Sequence, residues 1–380
     1  MRNFIFQNPT KLIFGKGQIA KLADLIPTGA RLMITYGGGS VKRNGVYQQV
    51  TQALKDREYE EFWGIEANPQ VETLRKAIAL GKEKKIDYLL AVGGGSVLDG
   101  TKLIAAGICS DTDAWDIVLK GVAEKQIPFA SIMTVPATGS EMNGGAVITR
   151  GETNEKFAFG GAYPQFSILD PEVTYTLSEH QIACGLADAF THVLEQYLTT
   201  TGQSRIMDRW AEGILLSVKE IAPKIKQNPH DYPLMADYML AATLALNDFI
   251  RMGVTQDWAT HMIGHELTAL HGITHGHSLA IVMPATMRVL REQKHDKLLQ
   301  FGERVFDITE GSEEARIENT IEATEAFYRS LGLTTRLSEE GVGDETIDII
   351  VRRFNERGIA YGENKNVTGE IAGEILKNCK

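Results

Sequence analysis

Three apolar runs in the first half of the chain end in glycine or small polar residues, and segments with helical spacing follow them. Arg31–Tyr36 (RLMITY) runs into Gly37-Gly38-Gly39-Ser40. Asp87–Val92 (DYLLAV) runs into Gly93-Gly94-Gly95-Ser96, and Ala130–Val135 (ASIMTV) into Pro136-Ala137-Thr138-Gly139-Ser140. Strands that are apolar on both faces belong inside a covered sheet, and strands alternating with helices pair in parallel. Phe166–Leu169, just before Asp170-Pro171, reads as a last strand. The first half is therefore expected to be an α/β domain with a parallel, Rossmann-like sheet.

From Ser178 the period changes. Apolar residues recur at three- and four-residue spacing over 181–199, 204–226, 234–250, 257–270, 295–306 and 314–331. Pro223, Asn228-Pro229 and Gly272 interrupt them. An all-helical second domain is expected, with the chain divided into 1–178 and 179–380. A length of 380 residues supports two cores.

Charge and cysteine content narrow the partners. There are 39 Lys and Arg against 49 Asp and Glu, a net charge of -10, with no basic block. Nucleic acid as a partner is excluded, because phosphate backbones need concentrated cations. No run approaches the roughly 18 apolar residues of a membrane span, and the N-terminus has no signal-peptide pattern. Cys109, Cys184 and Cys379 form no CxxC pair, so the expectation is a reducing, cytoplasmic setting without a disulfide framework.

The loop Gly93-Gly94-Gly95-Ser96 lies after a strand and opens a helix, where backbone N–H groups and the helix dipole suit a pyrophosphate. It is not GxGxxG, and by itself it reads equally as a tight turn. Two further polar loops at strand ends, 37–40 and 136–140, favour a nucleotide.

Asp188 and His192 stand four apart in a helical segment, so both face one side. His261 and His265 form a second such pair, and His271, His275 and His277 follow. Five of the nine histidines thus fall within 261–277. A lone histidine on an apolar helix is usually a core residue, whereas a cluster this dense points to a metal ion.

Several long stretches resemble the iron-containing (group III) alcohol dehydrogenases, in the branch of the butanol dehydrogenases and bacterial NADPH-dependent aldehyde reductases. They are Leu12–Gly17 (LIFGKG), Ile34–Lys42 (ITYGGGSVK), Ala91–Lys102 (AVGGGSVLDGTK), Pro136–Glu141 (PATGSE) and Gln256–His271 (QDWATHMIGHELTALH). The resemblance covers essentially the whole chain and implies a dehydroquinate-synthase-like fold, with a dinucleotide-binding domain and a helical metal-binding domain. It assigns the metal to Asp188, His192, His261 and His275. His265 is placed beside the nicotinamide, as a proton relay or as a packing residue. Cofactor contacts are implied at Gly37, Gly38, Gly39, Ser40, Gly94, Gly95, Ser96, Asp99, Thr138, Ser140 and Lys156. Trp258, His271 and His277 are candidates for the substrate pocket, and a homodimer is expected.

One carboxylate and three neutral imidazoles suit Fe2+ or Zn2+, and ligand type does not choose between them. Many NAD-preferring relatives carry an aspartate where Gly38 stands, so the resemblance implies NADP(H) in preference to NAD(H), with NAD(H) usable. The implied reaction interconverts short- to medium-chain primary alcohols, such as butanol, and their aldehydes. One alternative is a dehydroquinate-synthase-like lyase, whose phosphorylated substrate needs several cations near the metal. Between 240 and 290 only Arg251 and Arg288 are available. The other is a non-catalytic, metal-stabilised binding protein, in which the nucleotide loops have no evident use.

Overall fold

The structure is a computed structural model that describes residues 1–380. Its first part runs β1 (Lys11–Phe14), α1 (Leu22–Leu25), β2 (Leu32–Tyr36), α2 (Ser40–Arg43), α3 (Val46–Ala53), β3 (Tyr59–Phe62), α4 (Val71–Glu83), β4 (Tyr88–Gly93), α5 (Gly95–Ile108), α6 (Ala114–Lys120), β5 (Phe129–Met133), β6 (Ala146–Arg150), β7 (Glu155–Phe159) and β8 (Phe166–Leu169). Six strands make one sheet in the order β1-β8-β5-β4-β2-β3, and every pairing in it is parallel. β6 and β7 form a separate antiparallel pair.

Burial follows position in the sheet. β2, β4 and β5 are buried at every residue, as central strands covered on both faces must be. β3, reading Tyr-Glu-Glu-Phe, is half-buried throughout and lies at one edge. β2 and β4 are neighbours, yet the chain leaves β2 toward one edge and β4 toward the other. A crevice opens beyond the carboxyl ends of such a pair. The loops 37–40 and 93–96 both start there.

The remaining elements are helical: α7 (Glu179–Tyr197), α8 (Arg205–Gln227), α9 (Tyr232–Ala245), α10 (Ala259–His271), α11 (His275–Val289), α12 (His295–Phe306), α13 (Glu313–Ser330), α14 (Asp344–Glu356) and α15 (Gly369–Lys377). α11 packs against both α7 and α10. No helix is long and apolar enough to cross a membrane.

By its internal contacts the chain forms two compact units. One comprises Gln7–Ser178 with Pro229–Thr243; the other comprises Met1–Phe6, Glu179–Asn228 and Leu244–Lys380. Two segments thus depart from the expected division at 178/179. Arg2 N donates to Gly253 O at 2.8 Å, tying the first residues to the helical unit. Tyr238 of α9 donates to Pro136 O at 2.5 Å, and the Thr243 hydroxyl bonds the Glu141 carboxylate, which ties 229–243 to the sheet unit.

Candidate metal centre and dinucleotide loops

Within the helical unit, α7 is buried almost continuously from Ile182 onward and carries Asp188 and His192 on one face. Three imidazole nitrogens converge on Asp188 Oδ1. His192 Nε2 lies 3.5 Å away, His261 Nε2 3.7 Å and His275 Nε2 3.6 Å. Donors bound at about 2.1 Å around one tetrahedral ion are separated by about 3.4 Å. The ligand atoms of Asp188, His261 and His275, all within 4.8 Å of one another, suit a shared divalent cation, with His192 beside the same carboxylate oxygen. His261 Nε2 is buried and makes no hydrogen bond, as a nitrogen reserved for a metal would. The donor set, nitrogen and oxygen without thiolate, suits Fe2+ or Zn2+.

A close helix contact brings His275 into range. It opens α11, and a Cβ on the next residue, Gly276, would lie 2.0 Å from Cys184 O and 3.0 Å from Cys184 Cα. Both obstacles are backbone of α7 and cannot turn aside. Gly276→Ala is therefore expected to push α11 off α7. It should lower stability by about 2–3 kcal/mol and weaken metal retention through His275. Thermal unfolding together with metal analysis checks both effects.

Electrostatics divides the histidines. In the ion-free chain, burial pulls His192 down to about 4, with Asp188 opposing. Burial also acts to lower His261, but the carboxylates of Glu195 and Asp188 overcome it and hold that ring up to about 9. The cluster is thus negative enough to favour a cation, and an imidazole must shed its proton to become a ligand.

His265, one turn beyond His261 on α10, is buried, with its ring centroid 5.0 Å from that of His275 and 6.5 Å from that of His261. It lies beside the donors rather than among them. Trp258 adopts a left-handed backbone (φ 66°), and its indole centroid lies 5.2 Å from the His261 ring and 6.2 Å from the His192 ring.

The structure does not bring His271 and His277 to the cluster. His271 Nε2 meets Thr346 Oγ1 of α14 at 2.8 Å. His277 Nε2 meets Thr334 Oγ1 at 2.5 Å. At about 100° per residue, His277 points about 200° round α11 from His275, and His271 lies nearly three turns beyond His261. Sequence proximity to the ligands therefore does not carry over into proximity to the metal cluster for either ring. Arg251 pairs with Asp248 at 2.9 Å and Arg288 with Glu318 at 3.1 Å. Both cations that a phosphorylated lyase substrate would need are therefore already engaged.

In the sheet unit, Gly94 is the N-cap of α5 and, having no side chain, gives that helix start no cap of its own. A Cβ on Gly95 would lie 2.4 Å from Thr138 Oγ1, so glycine lets the 93–96 loop pack on the 136–140 loop. Ser96 Oγ accepts from Asn68 N at 3.2 Å, and Lys156 Nζ donates to Asn68 Oδ1 at 2.9 Å. Asn68, which sequence reasoning passed over, thereby links Lys156 to the loop.

Asp99 and Ser140 are turned inward. Ser140 Oγ donates to Asp99 Oδ1 at 2.6 Å, Val147 N donates to Asp99 Oδ2 at 2.9 Å, and the fully buried Lys102 donates to Ser140 Oγ at 2.8 Å. These side chains lock loop 136–140 to α5. After β2, Gly39 takes φ 96° and Ser40 opens α2, while a Cβ on Gly38 would meet nothing within 4 Å. Lys42 Nζ rests over the Trp63 ring, 4.1 Å from its centroid.

Glu195 is the site residue missed by sequence reasoning. It is buried on α7, and its carboxylate bonds His261 Nδ1. The available signal was a charged residue three after His192 and seven after Asp188 in an otherwise apolar helix.

Comparison with known proteins agrees with this architecture. The model of the iron-containing alcohol dehydrogenases matches residues 9–171. That of the C-terminal part of the Fe-containing alcohol dehydrogenase family matches 182–379. The chain is 50% identical to an NADPH-dependent aldehyde reductase, YqhD, of Escherichia coli K12, with all of both chains covered. It is 42% identical to a probable NADH-dependent butanol dehydrogenase of Bacillus subtilis, over 99% of each chain. A crystal structure of E. coli YqhD superimposes with a TM-score of 0.98 at 48% identity, covering 100% of this chain and 99% of the other. The NADH-dependent butanol dehydrogenase A of Thermotoga maritima gives 0.95 at 36% identity, with the same coverage. The chain belongs to the iron-containing alcohol dehydrogenase family, in its butanol dehydrogenase and aldehyde reductase branch.

Proposed function

We propose that the chain interconverts short- to medium-chain aldehydes and primary alcohols with NADP(H) in preference to NAD(H), using a divalent ion, Fe2+ or Zn2+, held by Asp188, His192, His261 and His275. The observation that carries this reading is the convergence of three imidazole nitrogens on Asp188 Oδ1 at 3.5–3.7 Å. When bound, the dinucleotide supplies or takes up the hydride and the ion polarises the carbonyl.

The chain's own groups do the rest. Asp188 offsets one of the ion's two charges, and the neutral imidazoles leave about one in excess for a substrate oxygen. A ring nitrogen of His265 holds the proton exchanged with that oxygen. The half-buried indole of Trp258 offers an apolar wall for an alkyl chain. The uncapped amides at the start of α5 face a diphosphate, with the helix dipole behind them.

Cofactor preference rests on the loop after β2. Gly38 leaves open space, Ser40 adds a hydroxyl, and Lys42 is held nearby on Trp63. A 2′-phosphate is accommodated there, whereas a carboxylate at 38 would repel it. NADPH is expected to exceed NADH by about tenfold or more in kcat/KM, a difference of about 1.4 kcal/mol or larger. Gly38→Asp should move the ratio toward NADH, and the open space lets the aspartate enter without shifting the loop. The assay is absorbance at 340 nm with butanal and either cofactor, with and without chelator. No butanal-dependent consumption by metal-replete protein would overturn the activity. Equal use of both cofactors, or an unmoved ratio in Gly38→Asp, would overturn the preference.

A further inference from the structure

Glu195 is 2% exposed. Its carboxylate receives Thr260 N at 2.7 Å, His261 N at 3.2 Å and the Nδ1 of the His261 ring. The first two are amides of the opening turn of α10, which has no cap from its own N-cap side chain, Trp258. A helix leaves its first four N–H groups unbonded, and a carboxylate there also gains from the helix dipole. Next to it, Asp257 N donates to Glu195 O at 2.8 Å and Asp257 Oδ1 accepts from Ala259 N at 3.0 Å. The start of α10 is thus bonded to α7 through Glu195, and the ring of His261 is held by the same carboxylate.

A hydrogen-bonded carboxylate fixes the imidazole tautomer. With the proton on Nδ1 facing Glu195, the lone pair sits on Nε2, the nitrogen 3.7 Å from Asp188 Oδ1. We propose that Glu195 is a positioning residue that sets the tautomer and aim of His261 for the metal, beyond its capping of α10. This rests on reading the Asp188 cluster as the metal centre. Partners of this kind behind a ligand histidine typically change metal affinity by about 10–100-fold.

The test is Zn2+ affinity of chelator-stripped protein, measured by competition with a chromophoric chelator. Glu195→Gln has one carbonyl oxygen for three donors. It can still accept from a backbone amide, but its NH2 cannot accept from Nδ1–H. Affinity should weaken about 10–100-fold, with Glu195→Asp, which keeps the charge on a shorter arm, recovering part of the loss. A stripped Glu195→Gln protein that unfolds like the wild type and binds Zn2+ within twofold of it overturns the proposal. If the Gln variant does not fold, the 15N shifts of the His261 ring in the Zn2+-loaded wild type decide, and ligation through Nδ1 instead of Nε2 overturns it equally. Asp257→Asn removes charge from the other carboxylate at the start of α10 without touching the His261 ring, and should leave affinity unchanged. A weakening equal to that of Glu195→Gln would mean that capping alone is responsible. Should the wild type itself bind no stoichiometric Zn2+, the metal-centre reading fails, which is a separate result.

Discussion

His261→Ala is expected to lose the bound ion and to lower aldehyde reduction by about a thousandfold or more, equivalent to about 4 kcal/mol of transition-state stabilisation. Two features make this substitution severe. His261 Nε2 is one of the three nitrogens gathered around Asp188 Oδ1, so its removal opens one corner of the donor set. Its other nitrogen meets Glu195, so the variant also leaves that buried carboxylate without its ring partner. Burial already raises the Glu195 carboxyl above its ordinary range, and losing the His261 contact pushes it further in that direction. Neither effect reaches the glycine loops, which belong to the other compact unit. NADPH affinity, followed by fluorescence titration, should therefore stay close to that of the wild type while metal analysis reports an empty site. Retention of stoichiometric metal by the variant would remove His261 from the ligand set.

What could be read in advance depended on whether the signal was local. β2, β4, β5 and β8 stand out because central strands buried on both faces are mostly apolar, interrupted only by the small polar residues Thr35, Ser131 and Ser167. β3 escapes notice because an edge strand tolerates Glu60 and Glu61. The β6–β7 pair, outside the main sheet, contains Arg150, Glu155 and Lys156 and resembles a loop. α12 matches its expected span of 295–306, where one apolar stripe faces inward. α11 was not expected as a helix: it is buried almost all round, so it has no two-faced pattern, and Gly276 and Pro284 look like breaks. Asp188 and His192 are legible from an i,i+4 spacing. The pairing of His261 with His275 required the resemblance, because fourteen residues and a turn separate them. Glu195 offered only its place on the helix of Asp188 and His192, because its partners lie on another helix, and the two segments that changed units offered no local signal.

His265→Ala should separate proton handling from metal holding. The ring is buried one turn beyond His261, its centroid 5.0 Å from that of His275, and the three nitrogens gathered around Asp188 Oδ1 come from His192, His261 and His275. Deleting it leaves those donors in place, so metal content is expected to stay stoichiometric. Turnover should nevertheless fall by about a hundredfold, within the range lost when a positioned acid–base group is removed. The truncation leaves a space of imidazole size beside the site, and added imidazole should restore part of the rate by occupying it. A histidine that serves only packing gives the opposite result. The variant would then lose thermal stability through the cavity, keep its rate within about threefold of the wild type, and show no response to imidazole. That outcome would assign His265 to the core and leave the proton to be exchanged directly with solvent.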